Sequence, residues 1–165
     1  KATALKGIST DTCLQTVNNI LVDESMPIMF VTVFYAVLDT RNGILEYCNG
    51  GHNPPYLINR DGVVRQLELK GGVLLGGVKD LEYESCITVL QPGDTLFPYT
   101  DGVTEAVNRN EKMFEEARLE ASLQRHQAAS PASLVNQLFS DVQEFSQGVE
   151  QSDDITCLAR RYSAK

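Results

Sequence analysis

Between residues 30 and 100 the chain is a succession of short apolar runs, rich in β-branched and aromatic residues and cut by Gly, Pro, Asn and Asp; helical spacing dominates only before and after that stretch. A run of strands followed by a run of helices indicates an α+β layered fold, not alternating β-α units. Residues 11–22 place Leu14, Val17, Ile20 and Leu21 on one helical face behind the capping candidates Ser9-Thr10-Asp11, and Gly7 is expected to end an earlier helical stub. Residues 30–39 are continuously apolar, which predicts a central strand buried on both faces. Asn42-Gly43 predicts a hairpin returning through Ile44 to Cys48, and Asp61-Gly62 a second hairpin between Pro55–Asn59 and Val63–Leu69. Residues 71–77 are glycine-rich and irregular. Strands are expected at Ser85–Leu90 and Thr95–Thr100 around the turn Gln91-Pro92-Gly93-Asp94. Two helices follow: 112–126, with Met113, Ala117 and Ala121 in one row, and a second capped by Ser130-Pro131 and stopping near Gly148. A last strand is expected over 155–162.

The apolar run Leu96-Phe97-Pro98-Tyr99-Thr100 ends in Asp101-Gly102, and Ser152-Asp153-Asp154 precedes the apolar Ile155-Thr156-Cys157-Leu158-Ala159. Two strands with carboxylates at their ends can bring those carboxylates to one sheet edge. Like charges held close repel and raise one another's pKa, and a divalent cation relieves both effects. Asp-Gly is also an ordinary turn signal. Asp61-Gly62 fits that reading, since strand-like residues flank it on both sides. No returning strand follows Asp101-Gly102, so from the residues alone Asp101 stays open between turn residue and ligand. Asp153-Asp154 also reads as a solvated loop pair, and Asp154 as a residue that orders its turn. His52, within Gly50-Gly51-His52-Asn53-Pro54-Pro55, reads as a brace for a tight loop ahead of an acid/base. His126 suits a helix C-terminus and is assigned no chemistry. Gly71 to Gly77 lacks the Lys-Ser/Thr of a phosphate loop.

The 165 residues and 42% hydrophobic content suit one globular domain, taken as 1–165. With 14 Lys+Arg against 22 Asp+Glu, the formal net charge of -8 argues against non-specific nucleic-acid binding and against anionic membrane surfaces. An anionic substrate would need the local sign reversal that bound cations provide. The four cysteines, Cys13, Cys48, Cys86 and Cys157, form no Cys-x-x-Cys pair, which predicts a reducing, cytoplasmic setting without disulfides or zinc.

Four segments together resemble a known family. Asn49-Gly50-Gly51-His52-Asn53-Pro54-Pro55 is similar to its N-x-GH-x-PP signature, and Gly72-Val73-Leu74-Leu75-Gly76 to its GG-x-x-LG element. Tyr99-Thr100-Asp101-Gly102-Val103-Thr104-Glu105-Ala106 is similar to its YTDGVTEA element, and Asp153-Asp154-Ile155-Thr156 to its DD-x-T element. The family is the SpoIIE-like branch of the metal-dependent protein phosphatases, relatives of protein phosphatase 2C. The resemblance implies an α-β-β-α sandwich, two antiparallel sheets flanked by helices. It implies hydrolysis of phosphoserine or phosphothreonine on a bacterial regulatory protein such as an anti-sigma-factor antagonist. It implies two Mn²⁺ or Mg²⁺ ions at one sandwich edge, with Asp101 and Asp153 at ligand positions, Asp154 adjacent, and Gly102 keeping the backbone close. The chemistry would use a metal-activated water, with no side-chain nucleophile. An upstream sensor or receiver domain is a further expected partner.

Two departures matter. The family's GD-x-x-G-x-G element, source of the Asp that bridges both metals, has no counterpart between Lys1 and Phe30. The sequence is therefore expected to lack N-terminal strands, to bind little or no metal and show negligible turnover by itself, and to self-associate, as a homodimer or by domain exchange, through an unpaired sheet edge. The same gap raises the alternative of a non-catalytic pseudophosphatase that binds a signalling partner. The second departure is Phe114-Glu115, where the family usually has Phe-Gly, which puts the local turn and helix start in doubt.

Overall fold

The computed structural model describes residues 7–24 and 30–164. In chain order the elements are α1 (Thr10–Glu24), β1 (Val33–Leu38), β2 (Ile44–Gly50), β3 (Tyr56–Ile58), β4 (Val64–Gln66), β5 (Ser85–Val89), β6 (Thr95–Phe97), α2 (Asp101–Thr104), α3 (Glu115–His126), α4 (Pro131–Phe145) and β7 (Arg160–Arg161). They form two antiparallel sheets with helices, so the expected α+β class holds. The chain divides into two compact units, one from Lys1–Pro54, Glu68–Leu90 and Ala164–Lys165, the other from Pro55–Leu67 and Gln91–Ser163. Among the described residues no helix is long and apolar enough to cross a membrane. The helical stub expected before Gly7 lies outside the described residues.

The first unit holds the sheet β1-β2-β5 and helix α1. Leu14, Val17 and Leu21 of α1 pack with Cys48, Leu75, Tyr83, Val33 and Tyr35, while Ile20 of the expected helical face is 44% exposed. The Thr10 N–H and hydroxyl both donate to Glu46 Oε1, at 2.6 and 3.0 Å, tying the start of α1 to β2. The expected central strand needs correction. Within the described residues β1 pairs only with β2 and is half-buried, and β2 is the central strand. Val33 and Tyr35 pack against α1, and Phe34 on the opposite face meets the Tyr47 ring. Val37 lies on the same face as Val33 and Tyr35 but is exposed, in one cross-strand row with Glu46 and the exposed Ile87. Apolar residues on both faces remove the alternation that would mark a half-exposed strand.

The second unit holds the sheet β4-β3-β6-β7 with α2, α3 and α4. Its core gathers Tyr56, Ile58, Phe97, Tyr99 and Val103 with Leu119 and Leu123 of α3 and Leu134, Leu138 and Val142 of α4. The hairpin at Asp61-Gly62 forms as expected, with Gly62 at φ 88°. Asn59 organises it by accepting the N–H groups of Asp61 and Val63 through Oδ1. The turn at 91–94 also forms, and buried Asp94 holds it by accepting the Gln91 and Arg60 N–H groups, each at 2.8 Å. The strands on either side of it do not pair: β5 belongs to the first sheet and β6 to the second.

Three further expectations are corrected. Of the strand expected over 155–162, only Arg160–Arg161 is regular. The Thr100 N–H donates to the Thr156 carbonyl and the Leu158 N–H to the Pro98 carbonyl, but Pro98 has no N–H to return, and the ladder is interrupted there. Pro98 likewise shortens the expected strand 95–100 to Thr95–Phe97. The helix expected from 112 starts at Glu115, leaving Met113 outside it in a bridge with Val107; Met113, Ala117 and Ala121 all face solvent, and the buried positions of α3 are Leu119, Ser122 and Leu123. Leucine offers more area to remove from water than alanine, and that difference sets the helix rotation.

The Phe114-Glu115 departure has a backbone consequence. Glu115 opens α3 at φ 62°, in the left-handed region, where a side chain other than glycine costs about 1–2 kcal/mol. Its ion pair with Arg118 spans 3.9 Å between exposed groups and offsets little. Replacing Glu115 with Gly is expected to stabilise the fold by about 1 kcal/mol and to raise the thermal midpoint by roughly 2–4 °C. An unchanged or lower midpoint in calorimetry would show that the strain is absorbed elsewhere.

Candidate functional site

Past β6 the chain continues through Pro98, Tyr99 and Thr100 into α2, a single helical turn that Asp101 opens. Residues 154–158 run alongside. Thr100 fastens the two segments with three bonds: its N–H donates to the Thr156 carbonyl at 2.9 Å, its hydroxyl accepts the Thr156 N–H at 2.9 Å, and the same hydroxyl donates to the Asp154 carbonyl at 3.1 Å. Tyr99 and Cys157 form a bridge between the same segments.

Gly102 completes the junction. A Cβ at this position would lie 2.4 Å from the Asp154 carbonyl oxygen and 2.9 Å from its carbon. Backbone cannot yield there as a flexible side chain could, so the glycine is required by close approach. This separates the two Asp-Gly pairs physically. Gly62 serves a positive φ in a hairpin; Gly102 lets one chain segment rest on another.

The acidic side chains lie around this contact. Asp101 is exposed; its Oδ1 accepts the Gly102 N–H at 3.1 Å, and its carbonyl accepts the Glu105 N–H at 2.8 Å and the Thr104 hydroxyl at 3.2 Å. Asp153 is exposed as well; its Oδ1 accepts the Asp154 N–H at 2.7 Å, and its carbonyl accepts Gln151 Nε2 at 2.6 Å. Asp154 meets Thr100 and Gly102 through its backbone, and its carboxylate is exposed. The structure thus brings Asp101-Gly102 and the Asp153-Asp154 segment together at the end of β6.

Carboxylate and carbonyl oxygens at such an edge suit a hard divalent cation. The donor type fits, but the number does not complete a cage: among the described residues no three His, Cys, Asp or Glu side chains converge. These residues fit one side of a metal site.

The other sequence candidates fall outside this edge. His52 Nδ1 lies 3.2 Å from the Thr32 hydroxyl and its carbonyl accepts Asn49 Nδ2 at 3.0 Å, contacts that brace the loop. The two glycine-rich motifs of the first unit interlock. A Cβ on Gly50 would meet Leu75 Cδ1 at 2.2 Å, and one on Gly51 the Leu74 nitrogen at 2.9 Å. Asn18, not singled out by sequence, pins the same loop: it accepts the Gly76 N–H at 2.9 Å and donates to the Val78 carbonyl at 2.8 Å. Its fully buried place in α1 was the missing signal. The four cysteines are free thiols, and burial pushes Cys48 and Cys157 up to about 11. Both are protonated at neutral pH and poor nucleophiles.

The architecture is that of a protein phosphatase 2C-type domain. It matches the SiaA-PP2C domain of Pseudomonas aeruginosa with a TM-score of 0.83 at 19% identity, over 97% of this chain and 63% of that one. It matches the RsbU and RsbW domains of Rv1364c from Mycobacterium tuberculosis with a TM-score of 0.76 at 26% identity, over 96% of this chain and 43% of that one. The SpoIIE (stage II sporulation protein E) family profile covers residues 1–163, and the chain belongs to that family. Among curated relatives, the phosphoserine phosphatase RsbU of Bacillus subtilis is 28% identical over 156 residues, 94% of this chain and 46% of RsbU. The chain therefore spans less than half the length of that relative.

Proposed function

We propose that this chain acts in the hydrolysis of phosphoserine or phosphothreonine on a regulatory protein, with Asp101 and Asp153 as ligands of a Mn²⁺ or Mg²⁺ site and Asp154 beside them. The observation that carries the reading is the fastening of Asp101-Gly102 to the Asp154 backbone through Thr100, which sets two acidic segments at one edge. A divalent cation there supplies positive charge for a water nucleophile and for the phosphoryl oxygens. The chain's own residues do the positioning. Thr100 fixes the spacing of the two segments, Gly102 permits it, and the carboxylates of Asp101 and Asp153 stay open to solvent. The protonated Cys48 and Cys157 thiols support a reaction without a cysteine nucleophile. The incomplete ligand set among the described residues supports negligible turnover for residues 1–165 assayed alone.

The substrate class follows from RsbU, a phosphoserine phosphatase by name, and from Rv1364c, which carries RsbU and RsbW domains in one chain. A phosphorylated anti-sigma-factor antagonist in the cytoplasm is the substrate we favour. The test is Mn²⁺-dependent phosphate release from phosphoseryl and phosphotyrosyl peptides by the protein that carries this domain. Release from the phosphoseryl peptide is expected. Tight peptide binding without release would support the non-catalytic binding module instead.

A further inference from the structure

Beside the acidic edge lies a cavity of about 240 Å³, lined mostly by the end of α4 and the loop that follows it, residues 142–151, and reaching the two acidic segments at Gly102, Ser152 and Ile155. Gly102 forms one side, and Ser152 and Ile155, flanking Asp153-Asp154, form another. The floor is apolar, with Ala106 and Val142, and the end of α4 closes it through Gln143. Glu150 is the one charged residue in the lining. At the rim the Arg109 guanidinium rests on Gly148, whose added Cβ would fall 2.1 Å from Arg109 Nη2.

We propose that this cavity is the subsite for an uncharged side chain next to the phosphorylated residue of the substrate protein. The proposal rests on the phosphatase reading above. Neighbouring residues of an extended peptide are about 3.8 Å apart at Cα. A peptide whose phosphorylated residue faces the Asp101 and Asp153 carboxylates therefore carries its neighbour to the wall that Gly102 shares with the cavity. The apolar floor favours an uncharged occupant, and the opposite charges of Glu150 in the lining and Arg109 at the rim leave neither an acidic nor a basic one favoured.

The test compares phosphoseryl peptides with p-nitrophenyl phosphate, which has no neighbouring residue to seat, in the protein that carries this domain. Gln143 is exposed and its enlargement does not disturb the core. In Gln143→Trp the ratio of kcat/KM for the peptide to that for p-nitrophenyl phosphate is expected to fall at least about tenfold. In Glu150→Lys the preference between peptides with an acidic and an uncharged neighbour is expected to move at least about fivefold toward the acidic one. Ratios unchanged in both variants would overturn the subsite while leaving the phosphatase reading intact. If the wild type releases no phosphate from either substrate, the phosphatase reading fails, and anisotropy of a labelled phosphoseryl peptide then decides the subsite. Affinity at least about tenfold weaker in Gln143→Trp supports it as a binding pocket, and equal affinity overturns it.

Discussion

Replacing Asp101 with Asn is expected to lower phosphoserine hydrolysis at least about a thousand-fold, a loss of ~4 kcal/mol of transition-state stabilisation. The fold should scarcely notice. Asp101 is exposed, and its side chain makes one local bond, to the Gly102 N–H, which the amide oxygen of Asn can still accept. Its backbone bonds to Glu105 and Thr104 are indifferent to the substitution. What Asn cannot supply is the negative charge that a hard cation requires. The check is phosphate release by both proteins with Mn²⁺, together with their thermal midpoints. A rate within a fewfold of wild type would remove Asp101 from the site. A collapsed midpoint would make it a structural residue.

Replacing Gly102 with Ala should damage the same site by another route. The added Cβ would meet the Asp154 carbonyl at 2.4 Å, so the two segments must part. Overpacking of this kind costs about 1–3 kcal/mol. A displacement of about 1 Å between groups that act together costs about a hundred-fold in rate. Both effects are expected in Gly102→Ala, and both follow from the contact. Gly71→Ala is the control. Gly71 has a positive φ of 65° with nothing within 4 Å of the added Cβ, so it carries backbone strain without a collision. Stability should fall in both variants, and the rate only in Gly102→Ala. Equal rates in the two would show that the Thr100–Asp154 junction does not position the site.

The sequence disclosed what local chemistry determines. Asn42-Gly43 and Asp61-Gly62 are turns because their neighbours are strand-like and their glycines take positive φ. Ser130-Pro131 starts α4, with the Ser130 hydroxyl accepting the Ser133 N–H. The Asp101 and Asp153 segments stood out because each joins carboxylates to an apolar run, and the structure sets those segments side by side. What stayed hidden depended on distant partners. Nothing around Gly102 announces the Asp154 carbonyl, and nothing in Asn18-Asn19 shows that Asn18 is buried against the 76–78 loop. Apolar residues on both faces of β1 concealed its partial exposure at Val37, and Pro98 broke a ladder whose apolar pattern runs on unbroken. The positive φ at Glu115 was foreshadowed only by the departure from Phe-Gly.

The central claim is that Asp101 and Asp153 serve one cation site at the edge that Thr100 and Gly102 hold together. Mn²⁺ affinity, measured by electron paramagnetic resonance in the protein that carries this domain, tests it through Asp101→Asn, Asp153→Asn and the double variant. Each single change should weaken binding at least about tenfold, with the double variant losing less than the two losses summed, as expected of groups that share a ligand. Losses that simply add, or an affinity unchanged by either substitution, would contradict it.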